Sequence, residues 1–129
     1  MKEIQKFKEE TNLKFHSINS LKASEIEKIV KELIELRLNE AEIDYEIVGL
    51  AIYGSRSRGL EKVNSDLDVV VELQTNLKEY VLFNILNEEP IYIEDILVDI
   101  NPIRECETGP LEEYLVRAEK YLTNKDYSY

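Results

Sequence analysis

Asp66 and Asp68 are the residues around which chemistry can be built. They open the run Asp66-Leu67-Asp68-Val69-Val70-Val71, whose apolar remainder has the composition of a buried strand. Side chains alternate faces along a strand, so the two carboxylates point one way while Leu67, Val69 and Val71 point the other. Paired carboxylates on one face repel each other and are costly to hold unless a cation lies between them. A hard divalent ion such as Mg2+ suits the pair, because it takes oxygen ligands and keeps positions open for substrate phosphates. Upstream, the apolar run Ile47–Tyr53 ends in Gly54-Ser55. A Gly lets the backbone approach a bulky anion, and the Ser beside it offers backbone N–H and hydroxyl donors. Ten residues, Arg56 to Ser65, separate this anion cradle from the carboxylate pair. A third carboxylate, Asp99, is the only charge in Ile96-Leu97-Val98-Asp99-Ile100. It can reach the pair if its strand lies beside theirs. Arg56 and Arg58 are candidates for a bidentate phosphate contact, with Arg56 preferred because it directly follows the cradle.

Other chemistries fit poorly. No Gly stands at the sixth position of an EF-hand loop, and no Gly-Lys-Ser/Thr marks a Walker loop. The sole histidine, His16, lies in the N-terminal segment and reads as a surface or core residue, so a nucleophilic triad finds no base. Lys62 reads as a solvated loop charge. Taken singly, Asp-x-Asp can be a turn cap, Gly-Ser is common in turns, and Asp99 can guard a sheet edge. Their order and spacing together favour a metal site.

Gly54-Ser55, the ten-residue spacer, Asp66-x-Asp68 and the later Asp99 resemble the signature of the DNA polymerase beta-like nucleotidyltransferase superfamily, in particular its minimal, stand-alone branch. The resemblance covers roughly residues 47–103. It implies an α+β fold, a small mixed β-sheet packed by helices. It also implies that Asp66, Asp68 and Asp99 are the catalytic, metal-binding set, holding two Mg2+ ions, with Mn2+ as the alternative. Gly54 and Ser55, with Arg56 or Arg58, would hold the phosphates of a nucleoside triphosphate. The implied reaction moves an NMP, AMP before the others, from an NTP to a hydroxyl of a protein or small molecule. The string Val98-Asp99-Ile100-Asn101-Pro102-Ile103, followed by Thr108-Gly109-Pro110-Leu111, is similar to stand-alone members of bacterial mobile elements. That likeness implies an antitoxin acting on a partner toxin. The alternative is a module of the same fold that binds NTP or a protein partner without turnover. Retention of all three carboxylates favours catalysis.

The rest of the chain must position these groups. Its 129 residues suit one domain, 1–129, with residues 1–22 as an extension of unclear form and 124–129 as a fraying polar tail. A net charge of −11 argues against a broad nucleic-acid surface. One cysteine, Cys106, excludes an internal disulfide and suits the cytoplasm, and no apolar run is long enough to span a membrane. A chain this small with eight tyrosines is open to pairing as an oligomer. Ser24 and Glu27 have capping-box spacing, and Ile26, Ile29, Val30, Leu33, Ile34 and Leu38 mark one buried helical face. A strand over Ile47–Tyr53, buried on both faces, leads to a helical turn at Ser57–Leu60. The second strand runs from Asp66 through Glu72. A helix over Leu77–Asn87, buried on more than one side, ends before Pro90. Short strands follow at Ile91–Ile93 and Ile96–Ile100. A last helix opens at Gly109-Pro110 and buries Leu111, Leu115, Ala118 and Leu122.

Overall fold

The apolar run that begins at Leu67 becomes an inner strand of a four-stranded mixed sheet. The structure, a computed structural model, describes residues 2–126, with side chains from 3 to 122. Its helices are α1 (Lys2–Lys14), α2 (Ala23–Glu40), α3 (Glu79–Asn87) and α4 (Leu111–Asp126), and its strands β1 (Glu46–Tyr53), β2 (Leu67–Gln74), β3 (Ile91–Ile93) and β4 (Ile96–Ile103). The sheet order is β1-β2-β4-β3, with β2 and β4 parallel and the other pairs antiparallel. A parallel pair cannot be joined by a tight turn, and α3 supplies much of the crossover. The α+β expectation holds.

Side-chain alternation splits the core in two. Leu50, Ile52, Leu67, Val69, Val71, Val98 and Ile100 face α2 and α3, where they meet Ile26, Val30, Ile34, Leu82 and Leu86. Ala51, Val70 and Ile103 face the other way and meet Phe7 of α1 with Leu111 and Leu115 of α4. The sheet is thus a middle layer between two pairs of helices. Gly49 lets α4 come close, since a Cβ there would lie 2.9 Å from Leu111 Cδ2. The buried Glu72 carboxylate accepts the Leu111 N–H at 2.8 Å, satisfying a free donor at the start of α4.

Several expectations are corrected. The N-terminal extension contains a helix, α1, in which Thr11 is buried and its hydroxyl bonds back to Phe7 O at 3.1 Å. α2 starts at Ala23, and Glu25 rather than Glu27 accepts the free N–H of Lys22, at 3.0 Å. Glu27 instead accepts the Ile52 N–H at 3.1 Å and lies 3.6 Å from Lys8. It thereby covers a donor on the edge strand β1. β1 is not buried on both faces: the register shifts between Ile47 and Gly49, and Val48 is exposed. The helical turn comes earlier, as a 3₁₀ turn over Ser55–Arg58, and Gly59 closes it in the left-handed region at φ 69°. α3 begins at Glu79 and buries only Leu82 and Leu86, leaving Tyr80 and Phe83 exposed. β4 runs on through Pro102, where its outer side no longer has β3 as a neighbour to demand an N–H. The helix expected to fray from Asn124 continues to Asp126, and residues 127–129 lie outside the described residues.

Candidate active site

Asp68 stands where four elements meet. It pairs across the sheet with Tyr53 at the end of β1 and with Asp99 of β4. Neighbouring strands lie about 4.8 Å apart, so in-register side chains on one face stand side by side. Asp66 is exposed just ahead of β2, on the same face by parity. The three carboxylates feel one another. The Asp68 carboxyl is pushed up to about 6 by partial burial and by the Asp99 and Asp66 charges. Asp99 is also raised, by burial and then by Asp66. Repulsion of this kind is the electrostatic signature of a site that favours a cation. The donor set is all oxygen and anionic, which is the chemistry that Mg2+ or Mn2+ requires. Among the described residues no three His, Cys, Asp or Glu side chains close into a ready-made metal cage.

The cradle lies against this carboxylate. Gly54 has φ 77°, and a Cβ built there would sit 2.6 Å from Asp68 Oδ2. Only glycine admits both the backbone turn and the close approach. Gly54 O accepts the Ser57 hydroxyl at 2.6 Å, tightening the turn from inside. Gly54, Ser55 and Asp68 form one wall of a cleft of about 430 Å³. Its opposite wall is α4, through Tyr114, Arg117, Ala118, Tyr121 and Leu122.

The tyrosines brace the floor. Tyr53 and Tyr114 meet edge to face, with centroids 5.3 Å apart and planes at 82°. Asn101 Nδ2 donates to the Tyr114 hydroxyl at 2.8 Å, linking β4 to α4. Burial, the Tyr114 hydrogen bond and the Asp68 charge hold the Tyr53 phenol well above its usual range, so it stays a neutral donor.

Residues 23–123 match the nucleotidyltransferase domain family, which is most of the chain. The chain belongs to that family. This nucleotidyltransferase is also similar to a Methanocaldococcus jannaschii protein provisionally named a protein adenylyltransferase. The two are 34% identical over 68 residues, which span 53% of this chain and 74% of that protein. No solved structure matches. The family places the protein among the polymerase beta-like nucleotidyltransferases, enzymes that move a nucleotidyl group.

Within the nucleotidyltransferase domain, Gly54, Ser55 and Asp68 come together at the cleft and Asp99 stands beside Asp68. The arginines do not join them. Arg56 is buried and its Nε donates to Ser65 O at 3.0 Å, which closes the loop between cradle and carboxylates. Arg58 turns inward to α1 and α4. Its guanidinium lies 4.2 Å from the Phe7 ring centroid, donates to Thr11 Oγ1 at 2.8 Å and pairs with Glu119 Oε2 at 2.8 Å. A buried guanidinium needs such partners, and proximity in sequence to the cradle gave no sign of them. The cleft instead gains Arg117, Tyr114 and Tyr121, which sequence reasoning missed. The available signal was the spacing of 114, 117, 118 and 121, a second stripe beside the buried one of α4.

Proposed function

We propose that the protein transfers AMP from ATP to a hydroxyl of a protein acceptor, using divalent metal held by Asp66, Asp68 and Asp99. The observation that carries this reading is the register of Asp68 with Asp99 beside a cleft whose near wall is Gly54-Ser55. The adenylyl group and the protein acceptor are taken from the name of the archaeal relative.

In this reading the acceptor oxygen forms a bond to the α-phosphorus as the bond to the bridging oxygen of the β-phosphate breaks, and pyrophosphate leaves. When bound, Mg2+ or Mn2+ neutralises the phosphoryl oxygens and makes the attacking hydroxyl more acidic. Gly54 and Ser55 hold the terminal phosphates through backbone N–H and hydroxyl donors. Asp99, with its raised pKa, receives the proton from the hydroxyl. Asp68 keeps the carboxylates and the cradle in one place. Tyr53 stays protonated beside it and leaves the charge balance unaltered. The cytoplasm is the compartment that an exposed, unpaired Cys106 suits.

The test uses ATP labelled in the α- or the γ-phosphate, Mg2+ and a lysate. Label transferred to a protein from the α-position only, lost with EDTA and with Asp68→Asn or Asp99→Asn, supports adenylyl transfer. Transfer from the γ-position overturns it, and tight ATP binding with no transfer replaces it by a binding module.

A further inference from the structure

The cleft faces a charge problem. It is lined by Asp68, which feels the charges of Asp99 and Asp66, in a chain with 16 Lys and Arg against 27 Asp and Glu. A nucleoside triphosphate brings several more negative charges, and such a ligand needs a cation from the protein as well as any metal. The two arginines nearest the cradle are already committed, Arg56 to the Ser65 carbonyl and Arg58 to Glu119 and Thr11. Neither lines the cleft.

Among the described residues one cation lines it. Arg117 lies one turn along α4 from Tyr114, with its guanidinium carbon 6.0 Å from that ring's centroid. It is exposed, and among the described residues no carboxylate pairs with it. Ala118 beside it keeps the wall low, and the wall stands opposite Gly54 and Ser55. A planar guanidinium matches phosphate oxygens two at a time, whereas a backbone cradle supplies no net charge.

We propose that Arg117 is the arginine that binds the triphosphate of the nucleotide, closing on it from α4 across the cleft from Gly54-Ser55. The assignment rests on the nucleotidyltransfer reading above. It gives α4 a task beyond packing: its leucine stripe anchors the helix while the adjacent stripe carries the phosphate contact.

The experiment measures binding of ATP and of adenosine, each with Mg2+, by calorimetry for the wild type, Arg117→Ala, Arg117→Lys and Lys120→Ala. Lys120 is a neighbouring cation that lines the groove between α1 and α4 instead. The expected result is a loss of ATP affinity of at least ~10-fold in Arg117→Ala, with adenosine affinity held. Arg117→Lys recovers part of it, and Lys120→Ala behaves as wild type. ATP affinity unchanged in Arg117→Ala overturns the assignment, as does an equal loss for adenosine or an equal loss in Lys120→Ala. A wild type that binds no ATP overturns the function reading and this assignment together, which separates that failure from the others.

Discussion

At the scale of single residues, Asp68 is held at a cost in stability. Its carboxyl titrates near 6 in the folded chain against 3.8 for the ordinary group. A raised folded-state pKa means that the native state binds the proton more tightly than the unfolded one. That contribution is therefore present below about pH 4 and is lost as the pH climbs through 6. In chelator, Asp68→Asn is expected to be more stable than the wild type at pH 7, on the order of 1 kcal/mol after allowance for partial exposure. The gap should close near pH 4. Urea unfolding at the two pH values checks this, and labelled-ATP transfer should be abolished in the same variant. Gly54 makes the opposite case. Alanine there would meet Asp68 Oδ2 and a φ of 77°. Gly54→Ala is expected to cost about 1–3 kcal/mol in unfolding free energy and to remove transfer even in the folded fraction.

At the scale of elements, the arginines show how the site is held. The 3₁₀ turn over Ser55–Arg58 aims Ser55 at the cleft and Arg58 away from it, into the seam between α1 and α4. Arg58 is thus a clamp between helices. Removing it takes a donor from the buried Thr11 hydroxyl and a packing partner from Phe7, while the Glu119 side chain, 40% exposed, stays partly solvated, so the loss is about 1–3 kcal/mol. Arg58→Ala should show that loss in chemical denaturation. Arg117→Ala, on an exposed stripe, should unfold within about 0.5 kcal/mol of the wild type. The contrast separates an arginine that builds the fold from one that faces the ligand. These assignments could not be read locally. Arg56 and Arg58 sit beside the cradle in sequence, yet the direction of each depends on where Gly59 ends the turn and on what α1 offers beyond it. Ser24 and Glu27 likewise had capping-box spacing, but the β1 edge N–H of Ile52 drew Glu27 away.

At the scale of the whole molecule, net charge and the carboxylate cluster act together. An acidic chain whose three aspartates repel should be stabilised by any cation that binds only the folded arrangement. Addition of Mg2+ or Mn2+ is expected to raise the melting temperature of the wild type, by an amount that grows with metal concentration. At about 100 times the dissociation constant the gain approaches ~2.7 kcal/mol. Asp99→Asn and Asp68→Asn should lose most of that shift, and Mg2+ or Mn2+ binding at scattered surface acids would leave it intact in both variants. Differential scanning fluorimetry in each metal distinguishes the outcomes.

Sequence by itself determined the strands and the side chains they carry. The parity of Asp66, Leu67 and Asp68, the glycine at the cradle, the isolated Asp99 and the leucine stripe of α4 all follow from local periodicity. Periodicity is a property of neighbours along the chain, so it survives without coordinates. Only the tertiary structure decided that β2 and β4 run side by side in a register that sets Asp68 against Asp99. It alone sent Arg58 to α1 and placed Arg117 on the facing wall. Those choices depend on which distant segments pack together, and the free energy that makes them is spread over the two cores rather than written at any one residue.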